Sequence, residues 1–165
     1  MANNEIETLM QSAKAHYRAE EYDEAIADYT KVIDIVPEDN MKGEIYLERG
    51  RSHKAKGDSD HMDEFLSAFA DYQQAFNLGP KNEEFVRTVS ACYWATLNQR
   101  SSAYLKNKDY TNAIEDLQLS SKLDLGPVNT SIAMGLLADA CRARDLGADR
   151  GLNEAEAREW QQQHK

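Results

Sequence analysis

The chain has 165 residues, 41% of them hydrophobic and 29% charged, which fits one folded domain or a short repeat array and excludes a disordered polymer. With 19 basic against 29 acidic residues, the formal charge is −10. That sign disfavours nucleic acid and anionic membrane surfaces, whose binding needs Lys and Arg to neutralise phosphates.

Only three prolines and eight glycines interrupt the chain, so long helices are expected and an all-β fold is not. The opening residues, Met1 to Glu7, hold no basic segment followed by an apolar one, and no apolar run approaches a bilayer span. A cytoplasmic protein is the expectation. Cys92 and Cys141 lie far apart without metal-ligand spacing and are read as two buried thiols, a disulfide or redox pair being the alternative.

A self-similar segment then recurs along the chain. Tyr22 to Tyr29 reads YDEAIADY, Phe65 to Tyr72 reads FLSAFADY, and Tyr110 to Leu117 reads YTNAIEDL. Each sets an alanine four residues before a large side chain, at 25/29, 68/72 and 113/117, and such pairs stack on one helix face. The alanine admits a neighbouring helix, and the larger residue fills the space beside it. Upstream of each copy an amphipathic stretch carries Ala13, Gly50 or Ser101, followed three residues later by His16, His53 or Tyr104. Downstream come Pro37, Pro80 and Pro127, read as helix stops because proline lacks an amide hydrogen and disfavours helix in the residue before it.

These positions resemble the tetratricopeptide repeat, W-x2-L-G-x2-Y, then A-x3-F, then P. The first copy matches with Leu9, Ser12, Ala13, His16, Ala25, Tyr29 and Pro37. The second matches with Tyr46, Arg49, Gly50, His53, Ala68, Tyr72 and Pro80. The third holds Leu97, Arg100, Ser101, Tyr104, Ala113 and Leu117, with Pro127 two places late. The resemblance implies a single all-α domain over 1–165, an α-solenoid of three helix-turn-helix repeats with C-terminal capping helices. Repeat one spans about 5–38, repeat two about 41–80 and repeat three about 82–127, with the cap over about 130–164.

Two excesses break the repeat length. Repeat two carries an insert near 59–64, within the acidic run Asp58 to Glu64. Its acids are read as capping the next helix through Asp60 or Asp63, with a cation site as the alternative. Residues 82–107 contain no Gly or Pro and read as one overlong helix, ~39 Å at the usual rise, unless a break falls at Asn98 to Ser102. Trp94 on that helix is read as core, with an exposed platform as the alternative. A seventh helix is expected from Ser131 to Arg144, and a final one opening at the cap pair Asn153 and Glu156 and ending near Gln163. Trp160 either pins that last helix or forms a self-association surface.

No phosphate loop, nucleophile elbow or metalloprotease motif is present, so neither enzyme nor cofactor is expected. His16 and His53 share one repeat position and are read as packed structural residues. The resemblance implies a concave face lined by the first helix of each repeat, where another protein or peptide would bind. Its expected residues are Met10, Gln11, Lys14, Tyr17 and Arg18 from repeat one, and Leu47, Glu48, Arg51 and Lys54 from repeat two. Asn98, Gln99, Ser102 and Leu105 are those of repeat three. The basic residues of the first two repeats suggest an acidic or carboxylate-bearing peptide. In repeats that grip a chaperone's C-terminal carboxylate, the clamp positions would fall on Met10, Lys14, Glu48, Ala95 and Gln99, and none matches. The implied role is an adaptor, the alternatives being a bacterial secretion-type chaperone and a homo-oligomerisation module that self-associates through the long third-repeat helix or the C-terminal helix.

Overall fold

The computed structural model describes residues 2–37, 39–58, 60–123 and 127–145, and all regular structure among them is helical. Seven helices follow in order: α1 (Ala2–Arg18), α2 (Tyr22–Ile35), α3 (Asp39–Lys56), α4 (Met62–Leu78), α5 (Glu83–Lys106), α6 (Tyr110–Lys122) and α7 (Pro127–Asp145). They form helical hairpins of the α-solenoid kind, and by backbone proximity fall into two compact units, 1–96 and 97–165, with α5 running uninterrupted through the division.

In the first unit α1 packs on α2, α2 on α3 and α3 on α4. Ala13, Ala25, Tyr29 and Val32 form one core with Ile45, against which Leu9 and Met10 lie. Leu47, Ala68, Tyr72, Ala75 and Val89 form a second, bringing the N-terminal part of α5 onto α3 and α4. Tyr29 and Tyr72 are each 1% exposed, and burying a side chain of that size contributes roughly 1.5–3 kcal/mol. Glycine matters where backbones nearly touch: a Cβ on Gly43 would overlap the backbone of Gly79, and one on Gly50 would sit 2.7 Å from the Tyr72 ring.

The helix ends have local causes. Val36 and Gly79, each preceding a proline, leave the helical region for extended backbone at ψ 125 and 174. α1 closes with Glu20 at φ 62, while the Glu21 amide donates to the His16 carbonyl and the Glu20 amide to that of Tyr17. α5 closes identically, with Lys108 at φ 60, Asp109 donating to Tyr104 and Lys108 to Leu105. Both turns are left-handed caps of the kind glycine usually fills, here carried by charged residues at one repeat position.

In the second unit α6 lies against α7, with Ile114, Leu117 and Ala140 buried and Leu105, Leu136, Leu137 and Cys141 packed around them. The overlong helix is continuous across Asn98 to Ser102 over its 24 residues. Three expectations need correction. Pro127, read as a stop, instead opens α7, where a missing amide hydrogen costs nothing, so that helix begins four residues before Ser131. α4 begins at Met62, after His61, and no side chain caps it: Asp60 lies too early, Asp63 lies inside the first turn, and Asp58 folds over the amides of Asp60 and His61 instead. Both cysteines are free but only half-buried. The expected final helix from Asn153, with Trp160, lies outside the described residues.

Candidate functional site

Each hairpin is riveted by a buried aspartate one residue before its large side chain. Asp28, Asp71 and Asp116 are 8%, 3% and 5% exposed. A buried carboxylate is tolerated only when donors replace its lost water. Ser12 Oγ donates to Asp28 at 2.6 Å, and Lys31 Nζ adds a second bond at 2.9 Å. Arg49 grips Asp71 through two bonds, Nε at 2.8 Å and Nη2 at 2.7 Å, and Arg100 grips Asp116 in the same way at 2.8 and 2.6 Å. Ser12, Arg49 and Arg100 occupy one repeat position on the first helix of their hairpins. Arg49 also donates to Thr30 Oγ1 at 3.0 Å and so ties the first hairpin to the second.

The two equivalent histidines join these clusters. Nδ1 of His16 lies 2.6 Å from Glu21 and Nδ1 of His53 lies 2.6 Å from Glu64. Their Nε2 atoms face Asp28 at 3.8 Å and Asp71 at 3.9 Å. Burial opposes ionisation of Glu64, but donors from Lys56 and His53 together outweigh it and hold its carboxyl below the ordinary value. Burial likewise opposes ionisation of Asp28, and the bonds from Ser12 and Lys31 win. Lys56 reaches Asp23 at 2.6 Å and Glu64 at 2.7 Å, a further tie between hairpins. None of these histidines and carboxylates lines either of the two cavities described below. Among the described residues no three His, Cys, Asp or Glu side chains converge as metal ligands.

The chemistry available to a partner lies elsewhere in the first unit. α1, α3 and the start of α5 converge on a groove of about 440 Å3. Tyr17 comes from α1, and Arg51, Lys54 and Ala55 come from α3. α5 supplies Arg87 and Thr88, then Ala91 and Cys92, then Ala95, which are successive turns of one helix face. Small side chains at 55, 91 and 95 leave the floor open. Three cations surround it, although residues 1–96 hold nineteen acidic and ten basic residues. Arg51 Nη1 pairs with Glu48 at 2.7 Å, and its Nε points at Cys92 Sγ, 3.5 Å away. Tyr17 stacks edge-on with Tyr22, their centroids 5.8 Å apart, and burial raises its phenol above the ordinary value. A larger hollow of about 600 Å3 between α1 and α2 mixes Glu5, Asp34 and Lys31, and Lys31 is already engaged by Asp28. It gathers no charge of one sign.

Of the residues expected on the concave face, Tyr17, Arg51 and Lys54 meet in this groove. Glu48 stands behind Arg51. Lys14 and Arg18 are exposed on α1, and Gln11, also exposed, donates to Glu7 at 3.4 Å. Met10 packs against the first core, and Leu47 is 5% exposed within the second. In the second unit Asn98 donates to Ser120 Oγ at 2.9 Å, Ser102 donates to the Asn98 carbonyl at 2.9 Å, and Leu105 packs against the α6–α7 core. Gln99 is half-buried there. Arg87, Ala91 and Cys92 precede the groove positions that the family pattern assigns to repeat three, which begin at Asn98. The extra turns of the long helix carry them, and a basic residue followed by alanines at four-residue spacing was the available signal.

Two family models described as Tetratricopeptide repeat match the chain, one over residues 7–39 and the other over 95–126. The first covers the α1–α2 hairpin and the second the end of α5 with α6. The lengthened central hairpin lies outside both. No curated protein matches the chain.

Proposed function

The chain is a tetratricopeptide-repeat protein, of a family of non-catalytic protein-interaction scaffolds, and we propose that it works as an adaptor seating a partner's polypeptide segment in the groove of α1, α3 and α5. The observation that carries this reading is the convergence of three helices on one open cavity whose cations reverse the charge of the unit around it. Grooves with small side chains on the floor and charged or aromatic groups at the rim suit an extended chain or a helix face. A secretion-chaperone role is a narrower form of the same reading, supported by the acidity and the hairpin repeats. Among the described residues no helix is long and apolar enough to cross a membrane.

The test is affinity capture with the wild-type chain beside Arg51→Glu with Lys54→Glu, helicity being followed by circular dichroism. Proteins held by the first and lost by the second are the partners. Identical captured sets from two equally helical proteins would place the binding surface elsewhere.

A second reading is self-association, favoured by the second unit. α7 exposes Val128 (71%), Ile132 (47%) and Met134 (53%), and α6 exposes Leu119 (42%). Large apolar side chains left in water at this density mark contact surfaces. Light scattering over a concentration series decides it, and a monomer throughout removes it.

A further inference from the structure

We propose that the segment seated in this groove is acidic, and that one of its carboxylates takes the place of Cys92 Sγ as the acceptor for Arg51 Nε; this rests on the adaptor reading above. The argument begins with the guanidinium. Arg51 is held on one edge by Glu48 through Nη1 at 2.7 Å, so its plane is set before any ligand arrives. Its other edge is spent on a thiol at 3.5 Å. Sulfur is a weak acceptor, and exchanging an N–H···S contact for a charge-assisted N–H···O bond gains energy at little cost. The arginine is aimed, and its present acceptor is the easiest one in the groove to displace.

The surroundings agree. Arg87 is exposed, lines the same cavity and has no carboxylate partner among the described residues. Lys54 is a third cation on the same wall. Glu48 is the acid nearest Arg51 and is already committed to it. A basic or neutral segment would leave Arg87 without a carboxylate and Arg51 Nε on its weak thiol acceptor.

Because Cys92 lies in the groove and Cys141 lies in the second unit, the chain carries its own footprint. Alkylation of both thiols by iodoacetamide is timed by mass spectrometry on the full chain, alone and with synthetic hexapeptides of glutamate, serine, phosphoserine or lysine. The glutamate peptide should slow alkylation of Cys92 and leave Cys141 unchanged, with serine and lysine peptides inactive. Its affinity, read by fluorescence anisotropy, should fall about tenfold in Arg51→Gln and in Arg87→Gln, the loss of one bond to a charged acceptor. Arg51→Lys should recover only part, since it keeps charge without the fork. Arg87→Gln keeps the test open should Arg51→Gln fold poorly. Stronger protection by phosphoserine than by glutamate would overturn the carboxylate as the acceptor's replacement and assign the acid to phosphate. Protection by serine or lysine peptides equal to that by glutamate would keep the groove as a peptide site and overturn its acid preference. Protection by none of them, with partner capture indifferent to the groove variants, would overturn both.

Discussion

Arg49 and Asp71 face each other across the α3–α4 hairpin with two parallel hydrogen bonds, and the aspartate is 3% exposed. The pair recurs as Arg100 and Asp116, so each of these hairpins has an ionic rivet beneath its large apolar side chain. A forked pair of this kind fixes the register of two helices more strictly than apolar packing, which tolerates sliding.

Removing one partner should be worse than removing both. Arg49→Ala strands a buried charge and should lower unfolding stability by about 3–5 kcal/mol, whereas Arg49→Met with Asp71→Leu should lose far less. Urea unfolding of the two proteins measures the difference. A double variant as unstable as the single one would mean that the charges themselves stabilise the hairpin.

The left-handed turns offer the opposite change. Glu20 and Lys108 sit at φ 62 and 60, where a side chain costs about 1–2 kcal/mol relative to glycine. Lys108→Gly should raise stability by roughly 1 kcal/mol, discounted for the freedom glycine gains in the unfolded chain. A rise in the urea midpoint checks it, and Glu20→Gly should behave alike.

At Gly43 an added methyl has nowhere to go, because the Gly79 backbone already occupies its place. Gly43→Ala should therefore cost about 2–3 kcal/mol despite the better helix propensity of alanine. The midpoint of thermal unfolding reports it, and an unchanged midpoint would show that α3 and the α4 terminus move apart freely.

Acid should weaken the first unit in a defined window. Asp28 and Glu64 have folded pKa values below their ordinary ones, set against burial by donors from Ser12, Lys31, Lys56 and His53. A carboxylate depressed by folding contributes its full stability above the unfolded pKa and loses it as pH falls through the folded one. Urea midpoints should fall steeply from about pH 5 downward, and Glu64→Gln should flatten part of that slope.

The second helices of the hairpins were legible because alanine followed by a large residue four places on is a packing rule written in adjacent turns. The prolines at 37 and 80 ended them as expected. Asp28, Asp71 and Asp116 stood in plain view inside those segments, yet an acid on a helix reads as solvent-facing until its partner helix is placed. The clue was that Ser12, Arg49 and Arg100 replace an apolar family residue at one position. Tyr17, Arg51 and Lys54 followed from repeat spacing, and Arg87 did not, since it sits on the extra turns of the overlong first helix of repeat three, ahead of the family's motif positions.

The rivets also say what this architecture is free to recombine. In the second and third hairpins the acid on the later helix is neutralised by an arginine on the earlier one, while in the first a serine and a lysine share that task. Grafting α4 in place of α2 would set an aspartate opposite Ser12 without its lysine, since Gln74 would stand where Lys31 does. The later helix of the first hairpin is therefore not interchangeable with those of the second and third, whose arginine–aspartate couples match each other.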